Sequence, residues 1–341
     1  MKAIVVTKHG GPEVLETREI PDPEPKPGEV VVRVKAVAMN HLDLWVRRGL
    51  PTLKIELPHV LGCDVSGVVE WSDTPGIEKG MEVMLAPGVS CGRCEACLTG
   101  RDHHCRSYGI IGEHRAGGYA EKIRVPAANI LPKPKNLSLT EAAAVPLVFQ
   151  TAWQMLVTRA ALKPGEWVLV QAAGSGVGSA GVQIAKLLGA TVIATARGEA
   201  KLEAARKLGA DHVIDYEKED FLAEVKRLTG KRGVDVVFEH VGKAVWEKSI
   251  LALTVGGRLV TCGATTGWDA TTDLRYLFYK KLSLLGSTMG SKGELHDIVR
   301  HVESGRLKPV VAKVLPFWSE AREGHEMLEK REGFGKVVFE L

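Results

Sequence analysis

Trp167-Val168-Leu169-Val170-Gln171-Ala172-Ala173-Gly174-Ser175-Gly176-Val177-Gly178 is the stretch on which the fold turns. Trp167 to Gln171 reads as a buried parallel strand, and the side-chain-poor turn after it opens a helix predicted over Ser179 to Leu188. At such a helix start, backbone N–H groups and the positive end of the helix dipole meet a pyrophosphate, which makes Gly174, Ser175, Gly176, Val177 and Gly178 candidate dinucleotide contacts. A glycine-rich string alone also fits an ordinary tight turn. The strand before it and the strand Thr191 to Thr195 after it favour the dinucleotide reading. A helical segment at Glu199 to Leu208 and strands at His212 to Ile214, Val234 to Phe238 and Arg258 to Thr261 follow. This alternation predicts an α/β, doubly wound parallel sheet.

The strand Thr191 to Thr195 runs into Ala196-Arg197, where NAD-binding versions of this turn place a carboxylate for the ribose hydroxyls. Arg197, with Lys201 one helical turn on, suits the 2′-phosphate of NADP instead, so NADP(H) is expected over NAD(H). Two other readings stay open: Arg197 as a solvated loop residue, and Glu199 turned toward the ribose.

Toward the N-terminus the texture changes. Short β-branched runs at Val30 to Val37, Val65 to Glu70, Glu82 to Leu85 and Gly118 to Val125 alternate with turns, predicting an antiparallel β domain. Within it stand Cys91, Cys94, Cys97 and Cys105, spaced C-x2-C-x2-C-x7-C and interleaved with Gly92 and Gly100. That spacing lets four thiolates converge on one zinc ion, and a full set of protein ligands leaves no open position for substrate, so the zinc is expected to be structural. An iron–sulfur cluster is the competing reading. His103 and His104 lie in the same lobe and read as exposed loop residues rather than ligands.

Composition narrows the function classes. The 341 residues are 45% apolar and 25% charged, which excludes disorder and a membrane bundle and predicts two domains with a small ligand between them. Forty-five Lys plus Arg against 41 Asp plus Glu leave +4 without a block of like charge, giving no support to nucleic-acid or membrane partners. Met1 to Lys8 lacks the apolar region of a signal peptide. Ala142 to Val157, broken by Pro146, Gln150, Thr151 and Gln154, is too short to span a bilayer, and a cytoplasmic location is expected.

In this order, Gly28-Glu29-Val30, Gly62 to Gly67 followed by Val68-Val69-Glu70, the cysteine lobe, Gly117 to Glu121, the turn Ala172 to Gly178 and Gly335-Lys336-Val337-Val338 resemble the medium-chain dehydrogenase/reductase superfamily over essentially the whole chain. The resemblance implies a GroES-like β-rich catalytic domain, residues 1–149 and 289–341, with the zinc lobe at 88–110, and a Rossmann domain, residues 150–288. It further implies a homodimer or homotetramer, Thr151 lining the cofactor side, and Cys262, Gly263 and Ala264 beside the nicotinamide.

The catalytic zinc ligands of the family's alcohol dehydrogenases are altered. The first position falls on Asn40, the Gly-His-Glu motif reads Gly62-Cys63-Asp64, and the third position falls on Leu147. The proton-relay positions fall on Leu42 and Trp45, neither of which passes a proton. Asn40 followed by Asp43 resembles instead the quinone oxidoreductase and enoyl reductase branches, which use no catalytic metal. There Asn40 would donate to the substrate or cofactor, Asp43 would fix the segment, and His41 would be the acid that protonates the product, against a reading of His41 as a residue facing away. Cys63 and Asp64, with His41 or His59, are the alternative: a rearranged zinc site. Trp45, Leu50, Leu53, Phe149, Trp268, Leu274 and Met289 are the expected substrate-pocket side chains.

The function expected is hydride transfer from NAD(P)H to an activated alkene, quinone or carbonyl without a catalytic metal. The alternatives are a zinc alcohol dehydrogenase with substituted ligands and a non-catalytic NADPH-binding protein.

Overall fold

Glu29–Ala38 has five valines and three alternating polar positions, and in the structure only Arg33 of it is exposed. A β-branched run buried on both faces belongs in the middle of a sheet. Accordingly it pairs antiparallel with Asp64–Ser72, Lys122–Pro126 and the C-terminal strand Lys336–Glu340. The computed structural model describes residues 1–49 and 54–341. Leu50 and Leu53, named above as pocket side chains, lie outside the described residues.

Two compact units emerge, Met1–Leu147 with Ser291–Leu341, and Val148–Gly290. The first is the β-rich GroES-like unit, whose core gathers Val30, Val32, Val37, Val65, Val83, Tyr119 and Phe339. Where a strand is expected from Gly118, the strand starts only at Lys122, preceded by an isolated bridge between Ala120 and Ala3. Gly117 and Gly118 instead send their N–H groups to Val60 O and Gly62 O, and a Cβ on Gly117 would sit 2.2 Å from Leu61 O. That close backbone approach takes the segment out of the ladder.

The second unit is a six-stranded parallel sheet in the order His212–Asp215, Thr191–Ala196, Trp167–Val170, Val234–Glu239, Leu253–Thr261, Ser283–Gly286. Strand order reverses between Trp167–Val170 and Val234–Glu239, and the ligand crevice of a doubly wound sheet opens at such a switch point. The helix after the turn starts at Gly176 rather than Ser179, because Ser175 caps it by accepting Gly178 N–H on Oγ at 2.9 Å. Among the described residues no helix is long and apolar enough to cross a membrane.

Candidate functional site

The glycine-rich turn belongs to the second unit. Trp167–Val170 delivers the chain to a turn that ends in the N-terminus of Gly176–Leu187. Of the N–H groups that open the helix, Ser175 takes that of Gly178, and the free ends of a helix start are the donors an anion meets. A Cβ on Gly178 would lie 2.4 Å from Ala172 O, so only glycine lets the helix come this close to the turn. These residues fit a pyrophosphate. Thr151 is buried on the helix Pro146–Trp153.

Arg197 follows the strand Thr191–Ala196 and is 46% exposed, its guanidinium 3.6 Å from the Glu217 carboxylate. Lys201 sits in the first turn of Glu199–Lys207. Cys262 follows Leu253–Thr261, and burial, with Glu239 nearby, pushes its thiol up to about 12, so it is neutral. The carboxylate of Glu239 accepts from Val241 N and Gly242 N, each at 2.6 Å, and from Thr261 Oγ1 at 2.9 Å, which ties the loop after one strand to the end of the next. Gly263 and Ala264 follow in the loop beyond. Of the expected pocket side chains, Phe149 and Met289 are buried, whereas Trp268 and Leu274 are 87% and 65% exposed.

The cysteine lobe belongs to the β-rich unit. The four sulfurs of Cys91, Cys94, Cys97 and Cys105 lie within 4.8 Å of one another, with 3.9 Å between Cys91 and Cys97 and 3.5 Å between Cys94 and Cys97. Tetrahedral zinc with bonds of about 2.3 Å sets its sulfurs about 3.8 Å apart, so the set fits. Backbone N–H groups of Cys91 and Ser107 point at Cys105 Sγ, and N–H donors from Arg93 and Cys94 pull Cys91 down to about 6. His103 and His104 are outside the set, their rings 4.2 Å apart. The lobe is tied to its unit by Asp102, which accepts from Lys292 N and Lys292 Nζ, each at 3.0 Å.

The second cluster surrounds Asn40, which precedes the helix His41–Arg48. Lys336 Nζ donates to Asn40 Oδ1 at 2.6 Å and to Asp64 Oδ2 at 3.0 Å. An ammonium only donates, so the amide oxygen must face it, and Asn40 Nδ2 is turned to Asp64 Oδ2 at 2.9 Å, with Cys63 Sγ and Ala38 O each at 3.3 Å. Asp64 Oδ1 accepts Leu147 N–H at 2.8 Å. Asp64 is 0% exposed and Lys336 4%. Both amide hydrogens of Asn40 thus have partners inside the protein. Asp43 accepts Asn40 N–H at 2.7 Å and Gly62 N–H at 3.0 Å; burial pushes it up to about 6.

These residues do not fit a catalytic zinc. Asn40 and Leu147 offer no anionic or imidazole donor, the carboxylate of Asp64 is committed to Lys336, and burial, then Asp64, holds the Cys63 thiol well above its ordinary value. His59 does not join them; its Nε2 faces Gly112 O at 3.1 Å. Among the described residues, Cys91, Cys94, Cys97 and Cys105 are the one group of three or more His, Cys, Asp or Glu placed to hold a metal. His41 is half-buried, its ring 6.3 Å from that of Trp45. Sequence reasoning missed Lys336, although a lysine opening the run Val337-Val338-Phe339 needs a partner if that strand is buried.

Two family models match the chain: an alcohol dehydrogenase GroES-like domain over residues 26–135 and a zinc-binding dehydrogenase over residues 176–304. An NAD-dependent alcohol dehydrogenase of Saccharolobus solfataricus is 32% identical, with 99% of each chain covered. An acryloyl-coenzyme A reductase of Sulfurisphaera tokodaii is 31% identical, again over 99% of each. A solved structure described as an NAD-dependent alcohol dehydrogenase shares 54% identity and superposes with a TM-score of 0.96 over 100% of both chains.

Proposed function

The chain belongs to the medium-chain dehydrogenase/reductase superfamily as an NAD(P)-linked oxidoreductase with a four-cysteine zinc-type lobe, and from that premise we propose that it reduces an activated alkene by hydride transfer without a catalytic metal. One observation carries this reading: the position that would hold a Lewis acid contains Asn40, Cys63 and Asp64 bound into a buried network with Lys336. A nicotinamide cofactor supplies the hydride when bound. Gly174 to Gly178 hold its pyrophosphate and Arg197 prefers a 2′-phosphate, making NADPH the favoured donor. His41, half-buried at the first position of its helix, protonates the reduced product. Lys336, Asn40 and Asp43 act through position, fixing the start of that helix.

The alcohol dehydrogenase reading has its own support, since the Saccharolobus relative and the 54% identical structure both carry that name while the Sulfurisphaera relative is named a reductase of an alkenoyl thioester. By name alone the balance lies with alcohol oxidation. Assays with NADPH or NADH against enones, quinones and acryloyl thioesters, beside primary and secondary alcohols with NAD⁺ or NADP⁺, separate the two. Alkene reduction unaffected by added zinc is the expected outcome. Alcohol oxidation that rises with a second zinc equivalent would replace it.

A further inference from the structure

Behind the dinucleotide turn lies a buried polar cluster with no part in the chemistry above. Ala172 has φ +48°, in the left-handed region that a residue with a Cβ keeps only when its surroundings hold it there. Thr195 receives two successive N–H groups of the turn, that of Ala172 on Oγ1 at 3.0 Å and that of Ala173 on its carbonyl at 2.8 Å. The same hydroxyl donates its proton to Gln171 Oε1 at 2.7 Å, and Gln171 Nε2 donates to Ser249 Oγ at 3.2 Å. The Gln171 carbonyl faces His240 Nε2 at 3.0 Å, and since a carbonyl only accepts, that nitrogen carries the ring proton. Burial pushes His240 down to about 4, so the ring is neutral. Ser175 Oγ, the cap of the phosphate-facing helix, lies 3.4 Å from the same nitrogen. Gln171, Thr195, Ser249 and His240 are all buried. Polar side chains at the ends of three neighbouring strands thus converge beneath one strained residue, where valines would have closed an apolar sheet.

We propose that Thr195 and Gln171 are positioning residues for the dinucleotide: they hold Ala172 left-handed, so that the turn stands in its phosphate-binding shape before the cofactor arrives. The inference rests on the reading of Gly174 to Gly178 as the pyrophosphate site. Thr195→Val removes the hydroxyl at nearly constant shape, and Thr195→Ser keeps it. The readouts are calorimetric Kd for ADP-ribose, which lacks the nicotinamide, and amide exchange at Ala172 and Ala173 in the free protein.

Thr195→Val is expected to weaken ADP-ribose about tenfold and speed exchange at both amides, while Thr195→Ser stays within about twofold. Adding Ala172→Gly to Thr195→Val is expected to regain most of the loss, because glycine takes φ +48° unsupported. Unchanged affinity in Thr195→Val, equal losses in both Thr195 variants, or no recovery with glycine would overturn the inference. If Thr195→Val does not fold, Ser249→Ala, one bond further out, gives the same test with an expected loss of about threefold, and no loss overturns it. Wild-type protein that binds no ADP-ribose would overturn the pyrophosphate reading itself, and this inference with it.

Discussion

The cysteine lobe and the Asn40 cluster both gather metal-ligating side chains in the β-rich unit, and they settle their charge in opposite ways. In the lobe, four sulfurs crowd within 4.8 Å with N–H donors aimed at them, and the balancing cation must come from solution. In the other cluster the chain brings its own cation: Lys336, buried, neutralises Asp64 and turns the Asn40 amide. A ligand residue alone therefore does not make a metal site; what else satisfies its charge decides it. The same contrast holds for anions, since Arg197 has only a loose, exposed partner in Glu217, whereas Arg47, fully buried, is held by Glu329, His325 and the Gly10 carbonyl.

The contrast is broken most severely at the lobe. Stripping its zinc, or Cys105→Ser, is expected to remove folding energy of the lobe on the order of 10 kcal/mol, as zinc does for small metal-held domains. Limited proteolysis between Cys91 and Cys105 with and without zinc reads this out, and equal cleavage would count against a structural metal. Next in size is Lys336→Met. It leaves the Asp64 carboxylate buried without its cation and should cost about 3–5 kcal/mol in denaturant unfolding, much of it recovered in Lys336→Met/Asp64→Asn. A cost below about 1 kcal/mol would mean the pair is not the neutralising element described here.

How far each half was legible follows from where its partners sit in the chain. The dinucleotide turn and the cysteine lobe are local signals: one strand, one turn and one helix start between Trp167 and Leu187, and four cysteines within 15 residues, from 91 to 105. Lys336 is 272 residues from Asp64, and nothing in the neighbourhood of Asn40 shows which way its amide faces. The type of Asn40 is visible in the sequence, and its hydrogen bonds are not. The carboxylate three positions after Asn40 is visible at a spacing that lets it accept the N–H of Asn40, the residue before the helix. The exposure of Trp268 and Leu274 was hidden too, since a large apolar side chain in a loop or at the first position of a short helix carries no signal of which side it faces.

Two smaller effects sharpen the anion side of the contrast. If Arg197 awaits a 2′-phosphate, Arg197→Ala weakens NADPH binding by about 1.5–3 kcal/mol more than NADH binding, measured by fluorescence titration. Equal losses would return Arg197 to the solvated reading. The smallest effect at neutral pH belongs to His325, whose Nδ1 faces Arg47 at 2.9 Å and whose Nε2 faces Tyr119 Oη at 3.2 Å. Burial, with Arg47 beside it, pushes this histidine down to about 3. A depressed histidine contributes stability that is whole above its ordinary value of 6.5 and is lost as pH falls from there toward about 3. Tm should accordingly fall more steeply below pH 6.5 in the wild type than in His325→Gln, which keeps an acceptor and a donor without titrating. Parallel curves would remove His325 from the account.

Zinc per chain, by elemental analysis of dialysed protein with native mass spectrometry, tests the central contrast most directly. One equivalent is predicted, lost in Cys105→Ser and kept in Cys63→Ser and Asp64→Asn. Two equivalents, the second lost on changing Cys63 or Asp64, would show that the Asn40 cluster imports a metal despite Lys336, and would contradict the metal-free reading.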